Sequence, residues 1–113
     1  MKLGEFEAYL PDQLAPLGEV DIRVVFNSPC VYVWGKVVGW VAGDQLFIKA
    51  TRAGKALLGE DEPTYSDVPG SMPLYLVDPE DQEAMLELIR ASWPEIGYPA
   101  SYRGKRRANL GGE

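Results

Sequence analysis

Two periodicities organise the chain. Across residues 5–15, Phe6, Leu10 and Leu14 recur at helical spacing with Tyr9 and Leu17 alongside, which predicts an N-terminal helix. Pro11 falls inside the pattern and predicts a kink or two short helical pieces; Pro16 and Gly18 end it. From Val20 the period becomes two. Val20, Ile22 and Val24 alternate with Asp21, Arg23 and Val25, a half-buried strand over residues 20–26. Asn27-Ser28-Pro29 is turn chemistry, and β-rich runs follow at 30–34, 37–42 and 45–49, separated by Gly35-Lys36 and Gly43-Asp44. Turns this short join antiparallel neighbours, so these runs predict a four-strand meander.

Thr51 is placed to cap a short helix reaching Leu58, in spite of Gly54. Gly59-Glu60-Asp61-Glu62-Pro63 reads as a polar loop, and Pro69-Gly70-Ser71 as a turn before a fifth strand at 72–77. A long helix is predicted over 78–93. Asp78 suits the N-cap, Pro79 the first helical position, and Glu80 and Asp81 the positive end of the helix dipole. Met85, Leu86, Leu88, Ile89 and Trp93 share a face about 160° wide, with Glu80, Glu83, Glu87 and Arg90 opposite, and Pro94 stops the helix. The pattern predicts a two-layer α+β domain. Its antiparallel sheet, the meander plus one further strand, is covered on one face by the N-terminal and C-terminal helices. The domain spans residues 1–102, and 103–113 reads as a flexible basic tail.

Composition narrows the chemistry. The 113 residues contain no histidine, which removes the commonest general base, the commonest transition-metal ligand and every Ser-His or Cys-His nucleophile pair. The single cysteine, Cys30, cannot form an internal disulfide and fits a reducing compartment; it reads as a small buried hydrophobe at a strand start. Neither a membrane-spanning apolar run nor a signal-peptide pattern is present, so the expected location is the cytoplasm, with no membrane partner. Residues 1–98 carry seven basic and sixteen acidic residues, a balance of −9 that repels nucleic acid. Arg103, Lys105, Arg106 and Arg107 in the tail are the candidate nucleic-acid contacts, with Tyr98 and Tyr102 upstream for stacking.

Glu60, Asp61, Glu62 and Asp67 lack the oxygen spacing of a calcium loop and read as a solvated acidic loop; neither a metal nor a cofactor is expected. A carboxylate-based enzyme would need two convergent acids, for which Glu19 and Asp21 are the candidates. Trp34, beside the Gly35-Lys36 turn, is the candidate partner anchor, with Tyr32 and Val33 as its surface neighbours. Trp40 and Trp93 are expected in the core.

Leu14-Ala15-Pro16-Leu17-Gly18-Glu19-Val20, followed by Arg23 and Phe26, is similar to the opening of the TfoX N-terminal domain family. The resemblance continues through Val31-Tyr32-Val33, Gly35-Lys36, Val41-Ala42, Leu46-Phe47-Ile48-Lys49, Pro63-Thr64-Tyr65, Met72 and Tyr75, and covers about residues 10–93. It implies a two-layer α/β domain without a catalytic site. The best-known member is a bacterial competence regulator that acts on transcription through other proteins and carries a second domain. This chain is expected to be a stand-alone single-domain relative. Two departures stand out. Val25-Phe26-Asn27-Ser28 and Cys30 replace the family's Met-Phe-Gly-Gly and a further glycine, and Trp34 replaces the acid or amide that commonly precedes the turn glycine. A second β-rich family with a closing helix, the YjbR type, is also similar. The function expected is a non-enzymatic protein-interaction or regulatory module that binds another protein or a second copy of itself. The alternatives are a nucleic-acid-associated regulator using the tail, and a carboxylate enzyme.

Overall fold

The computed structural model describes residues 3–25, 28–66 and 73–99, with side chains from residue 8 onward. Helix α1 (Leu3–Leu14) runs into a 3-10 turn (Ala15–Leu17). Strands β1 (Val20–Val25), β2 (Ser28–Val33), β3 (Lys36–Ala42) and β4 (Gln45–Lys49) follow. Then come α2 (Arg52–Leu58), β5 (Leu74–Val77), α3 (Gln82–Ser92) and a closing 3-10 turn (Trp93–Glu95). The sheet order is β1-β2-β3-β4-β5 with every pair antiparallel, so the expected two-layer α+β architecture is present.

One face of the sheet carries the core. Leu10, Leu14 and Leu17 from the N-terminal segment and Met85, Leu88, Ile89 and Trp93 from the C-terminal helical segment pack on Val31, Val33, Val38, Val41, Leu46, Ile48 and Tyr75. The chain stays helical through Pro11, which is exposed while Leu10 and Leu14 are fully buried. Burial of those two leucines outweighs the lost helix hydrogen bond.

Three local readings change. Ser28 and Pro29 belong to β2 and not to a turn, because Val25 pairs with Ser28. Trp34 accepts that pattern by donating its backbone N–H to the Glu19 carbonyl at 2.8 Å. Hydrogen-bonded pairs therefore fall on the odd residues of β1, and the Pro29 nitrogen points away from β1 and costs no ladder bond there. The long helix begins at the N-cap Asp81, whose carboxylate accepts from the Ala84 N–H at 3.4 Å. Asp78 instead closes a turn ahead of it, its carboxylate accepting from the Glu80 N–H at 3.0 Å and its carbonyl from the Asp81 N–H at 3.0 Å, with Pro79 buried between.

The third change decides the rest. The β2–β3 register shifts between Val31 and Tyr32, so two β3 residues, Val38 and Gly39, oppose Val31. This bulge resets the alternation. Val38 and Val41 are both buried on the core side, and Trp40 is turned to the other face, where it is half-buried.

Basic tail residues Arg103, Lys105, Arg106 and Arg107, together with Phe6, Phe26, Asn27, Asp67, the Pro69-Gly70-Ser71 turn and Met72, lie outside the described residues or side chains. Among the described residues no helix is long and apolar enough to cross a membrane.

Candidate functional site

The sheet face opposite the helices carries no helix or further layer among the described residues, and it is rich in aromatic and aliphatic side chains. Cross-strand pairing fixes which residues share it. Arg23 pairs with Cys30, Cys30 with Trp40, Trp40 with Phe47, and Phe47 with Leu76, so these five make one row across all five strands. Asp21, Tyr32 and Val37 make part of the next row, and Lys49 faces Leu74 at its far end. Tyr65 joins from the loop before β5 through a bridge to Leu74, and its ring meets Phe47 edge-on with centroids 5.9 Å apart. Tyr32, Val37, Trp40 and Phe47 are half-buried, and Tyr65 and Leu76 are exposed at 43% and 38%.

Two cations flank these rings. Arg23 stands 5.1 Å from the Tyr32 ring centroid and forms an ion pair with Asp21 at 2.6 Å. Lys49 has no acid within ion-pair distance among the described residues. Burial among apolar neighbours pushes its amine below the usual lysine value, while the nearby Cys30 pulls weakly the other way. Burial also pushes the Cys30 thiol up, with Lys49 opposing, so this half-buried cysteine is a poor thiolate and a packing residue of the face.

Trp34 sits at the first position of the two-residue β2–β3 turn with φ 48°, followed by Gly35 at φ 85°. That is the type I′ geometry in which an amide or acid normally precedes the glycine. The strain of a tryptophan there is offset by its ring. The indole N–H donates to the Leu17 carbonyl at 2.7 Å, and the ring lies over Gly18, where an added Cβ would come within 2.9 Å of it. Gly18 has φ 100° as well, so ring and glycine require each other. Trp34→Ala is expected to lower stability by about 1–2 kcal/mol, roughly 4–8 °C in a thermal melt. An unchanged melting temperature would show that the ring contributes nothing to the fold.

The remaining sequence candidates fall in several places. Tyr32 and Trp34 line an open cleft of about 240 Å³ that Glu19, Asp21 and Arg23 also line; Asp21 is held by Arg23. Val33 is fully buried on the core side, so its side chain does not join Tyr32 and Trp34 at the surface. A cleft of about 490 Å³ beside α2 has Arg52, Lys55, Glu60 and Glu95 in its lining. Lys55 pairs with Glu60 at 3.2 Å, and Glu95 accepts the N–H groups of Arg52 and Ala53 at 3.0 and 2.8 Å. These charges are engaged in holding α2. Among the described residues no group of three metal-ligating side chains converges.

Sequence reading missed the outer sheet face. The signal for it was present: β3 carries an unbroken apolar run over residues 37–42, whereas two helices with one apolar stripe each can cover only one face. Comparison of the chain with protein-family models, with curated proteins and with solved structures gives no match.

Proposed function

We propose that this domain is a non-enzymatic protein-interaction module of regulatory type, a single-domain relative of the TfoX N-terminal family, and that its contact surface is the outer face of the sheet. The observation that carries this reading is the row Cys30, Trp40, Phe47 and Leu76, which no described element covers, with Tyr32, Val37 and Tyr65 around it. A contiguous apolar patch rich in aromatics marks an interaction site more often than a solvated surface does. Lys49 sets the partner's chemistry. A half-buried ammonium with no acid in reach among the described residues calls for a carboxylate, so the partner is a protein that lays an apolar surface bearing an acidic side chain across the sheet. The balance of −9 over residues 1–98 favours a protein over nucleic acid on this face.

A photoreactive phenylalanine analogue placed at Trp40, with the exposed Leu57 of α2 as the control site, tests this directly. A protein crosslinked from position 40 and not from 57 is the expected outcome. Once purified, that protein should bind Phe47→Glu and Lys49→Met at least about tenfold more weakly than the unsubstituted chain. Lys49→Met should leave folding stability within about 0.5 kcal/mol or raise it, because it removes a half-buried charge. Crosslinks equal at both positions, a nucleic-acid adduct at position 40, or unchanged affinity in both variants would each overturn the reading.

A further inference from the structure

The second surface is the free edge of β1, a different part of the molecule from the sheet face. β1 stands first in the sheet order, and its ladder with β2 runs unbroken from Val20 to Val25. The odd residues bond to β2, as the Trp34 N–H to Glu19 carbonyl bond sets the phase. The backbone N–H and C=O groups of Val20, Ile22 and Val24 therefore point outward. Natural sheets blunt such edges with charged side chains, lysine above all, or with proline, bulges or a covering segment; the charges of β1, Asp21 and Arg23, are of opposite sign. Residues 20–25 contain neither lysine nor proline, and no other strand pairs with that side among the described residues. The opposite edge differs: at Leu74, β5 exchanges both backbone bonds with Tyr65 at 2.8 Å.

We propose that the occupant of this edge is a second copy of the chain, pairing β1 with β1 antiparallel about a two-fold axis at Ile22. The register follows from the charges. With Ile22 opposite Ile22 of the second copy, Asp21 of each copy faces Arg23 of the other, twice. Val20 of each copy faces Val24. The three outward-pointing residues then fall in hydrogen-bonded pairs. The Asp21–Arg23 pairs fall in the closer, non-hydrogen-bonded positions, where cross-strand side chains interact best. Both charged side chains are half-exposed, at 53% and 52%, and bond to each other along the strand in the single chain, so the second copy exchanges that pair without desolvating a lone charge. Val24, 71% exposed, gains a cross-strand valine. A shift of one residue in either direction places like charges opposite each other or breaks the two-fold pairing. Charge complementarity thus selects the two-fold centred on Ile22.

Sedimentation equilibrium of the full chain, with thermal melts to confirm folding, reads the result. The unsubstituted chain should dimerise. Arg23→Asp and Asp21→Arg, each of which sets like charges opposite one another in both halves, should weaken the dimer roughly 10- to 30-fold. The double variant Asp21→Arg with Arg23→Asp restores the complementary pairs and should recover the dimer, which a merely unfolded or overcharged protein would not do. A monomer at every concentration reached, a single variant that dimerises as tightly as the unsubstituted chain, or a folded double variant that stays monomeric would overturn the proposal. None of these outcomes depends on whether the sheet face binds another protein.

Discussion

Gly39→Ala is expected to destabilise the domain by roughly 3 kcal/mol or more, about 10–15 °C in a thermal melt. The reason is space. A Cβ on residue 39 would run into the Phe47 carbonyl oxygen and stand 2.9 Å from its carbon, and these are backbone atoms of the neighbouring strand. A flexible side chain could swing aside, but β4 can yield only by parting from β3. Gly39 pairs with Ile48 in the bulged stretch of β3, so the clash falls in the middle of the sheet. The same substitution at Gly43, where an added Cβ meets nothing within 4 Å, isolates the comparison: there the cost is limited to backbone strain at φ 65°. If Gly39→Ala melts no lower than Gly43→Ala, the close approach of β3 and β4 is not as drawn here.

That contrast shows where sequence reading stops. The four meander strands were legible because Gly35 and Gly43-Asp44 break the period-two runs, both local signals, although the first turn is Trp34-Gly35 and Lys36 already belongs to β3. The buried stripe of α3 was legible for the same reason: Met85, Leu86, Leu88, Ile89 and Trp93 are all buried. The bulge was not legible, because Val37-Val38-Gly39 is equally compatible with an unbroken alternation; only the register with Val31 reveals that one residue is extra. An unbroken alternation puts Trp40 in the core, whereas it stands on the outer face. The helix start was misplaced by three residues because Asp78 and Asp81 both satisfy the capping pattern, and packing of Pro79 chooses between them. Gly54 reads as a weakness in a short helix. In the fold it lets α2 approach α3, with an added Cβ meeting Leu88 at 3.0 Å and Ser92 at 3.2 Å. Such constraints arise from residues distant in sequence, and no local pattern encodes them. The outer face is intermediate: the apolar run over residues 37–42 shows that β3 is buried or sticky on both sides, but which aromatics neighbour it follows only from the register.

The second large effect concerns Trp93 and Lys36, 57 residues apart. Lys36 opens β3 on the core side and is only 7% exposed. Its ammonium donates to the Trp93 carbonyl at 3.0 Å and lies 3.7 Å from the Trp93 ring centroid and 5.0 Å from that of Tyr98. The Trp93 indole N–H in turn donates to the Val33 carbonyl at 2.6 Å. A buried cation with no carboxylate partner among the described residues is thus held by one carbonyl and two ring faces, and the arrangement clamps the C-terminal turn to the β2–β3 hairpin. Trp93→Ala should cost roughly 3–5 kcal/mol through lost packing and an unpartnered Val33 carbonyl. Lys36→Met alone should cost about 1–2 kcal/mol, and close to nothing when Trp93 is already alanine, a coupling of about 1–2 kcal/mol in a double-mutant cycle. Additive costs would show that the ring acts only as buried area. The pH dependence supplies an independent check. Burial holds the folded Lys36 amine below its usual 10.5, so between the lowered value and 10.5 the unfolded chain binds more protons than the folded one. Stability from this group therefore rises with pH across that window. Lys36→Met should remove that share of the alkaline rise, so that its destabilisation relative to the unsubstituted chain grows as the pH approaches 10.5. A difference that stays constant with pH would mean that the carbonyl and the two rings offset the cost of burying the ammonium.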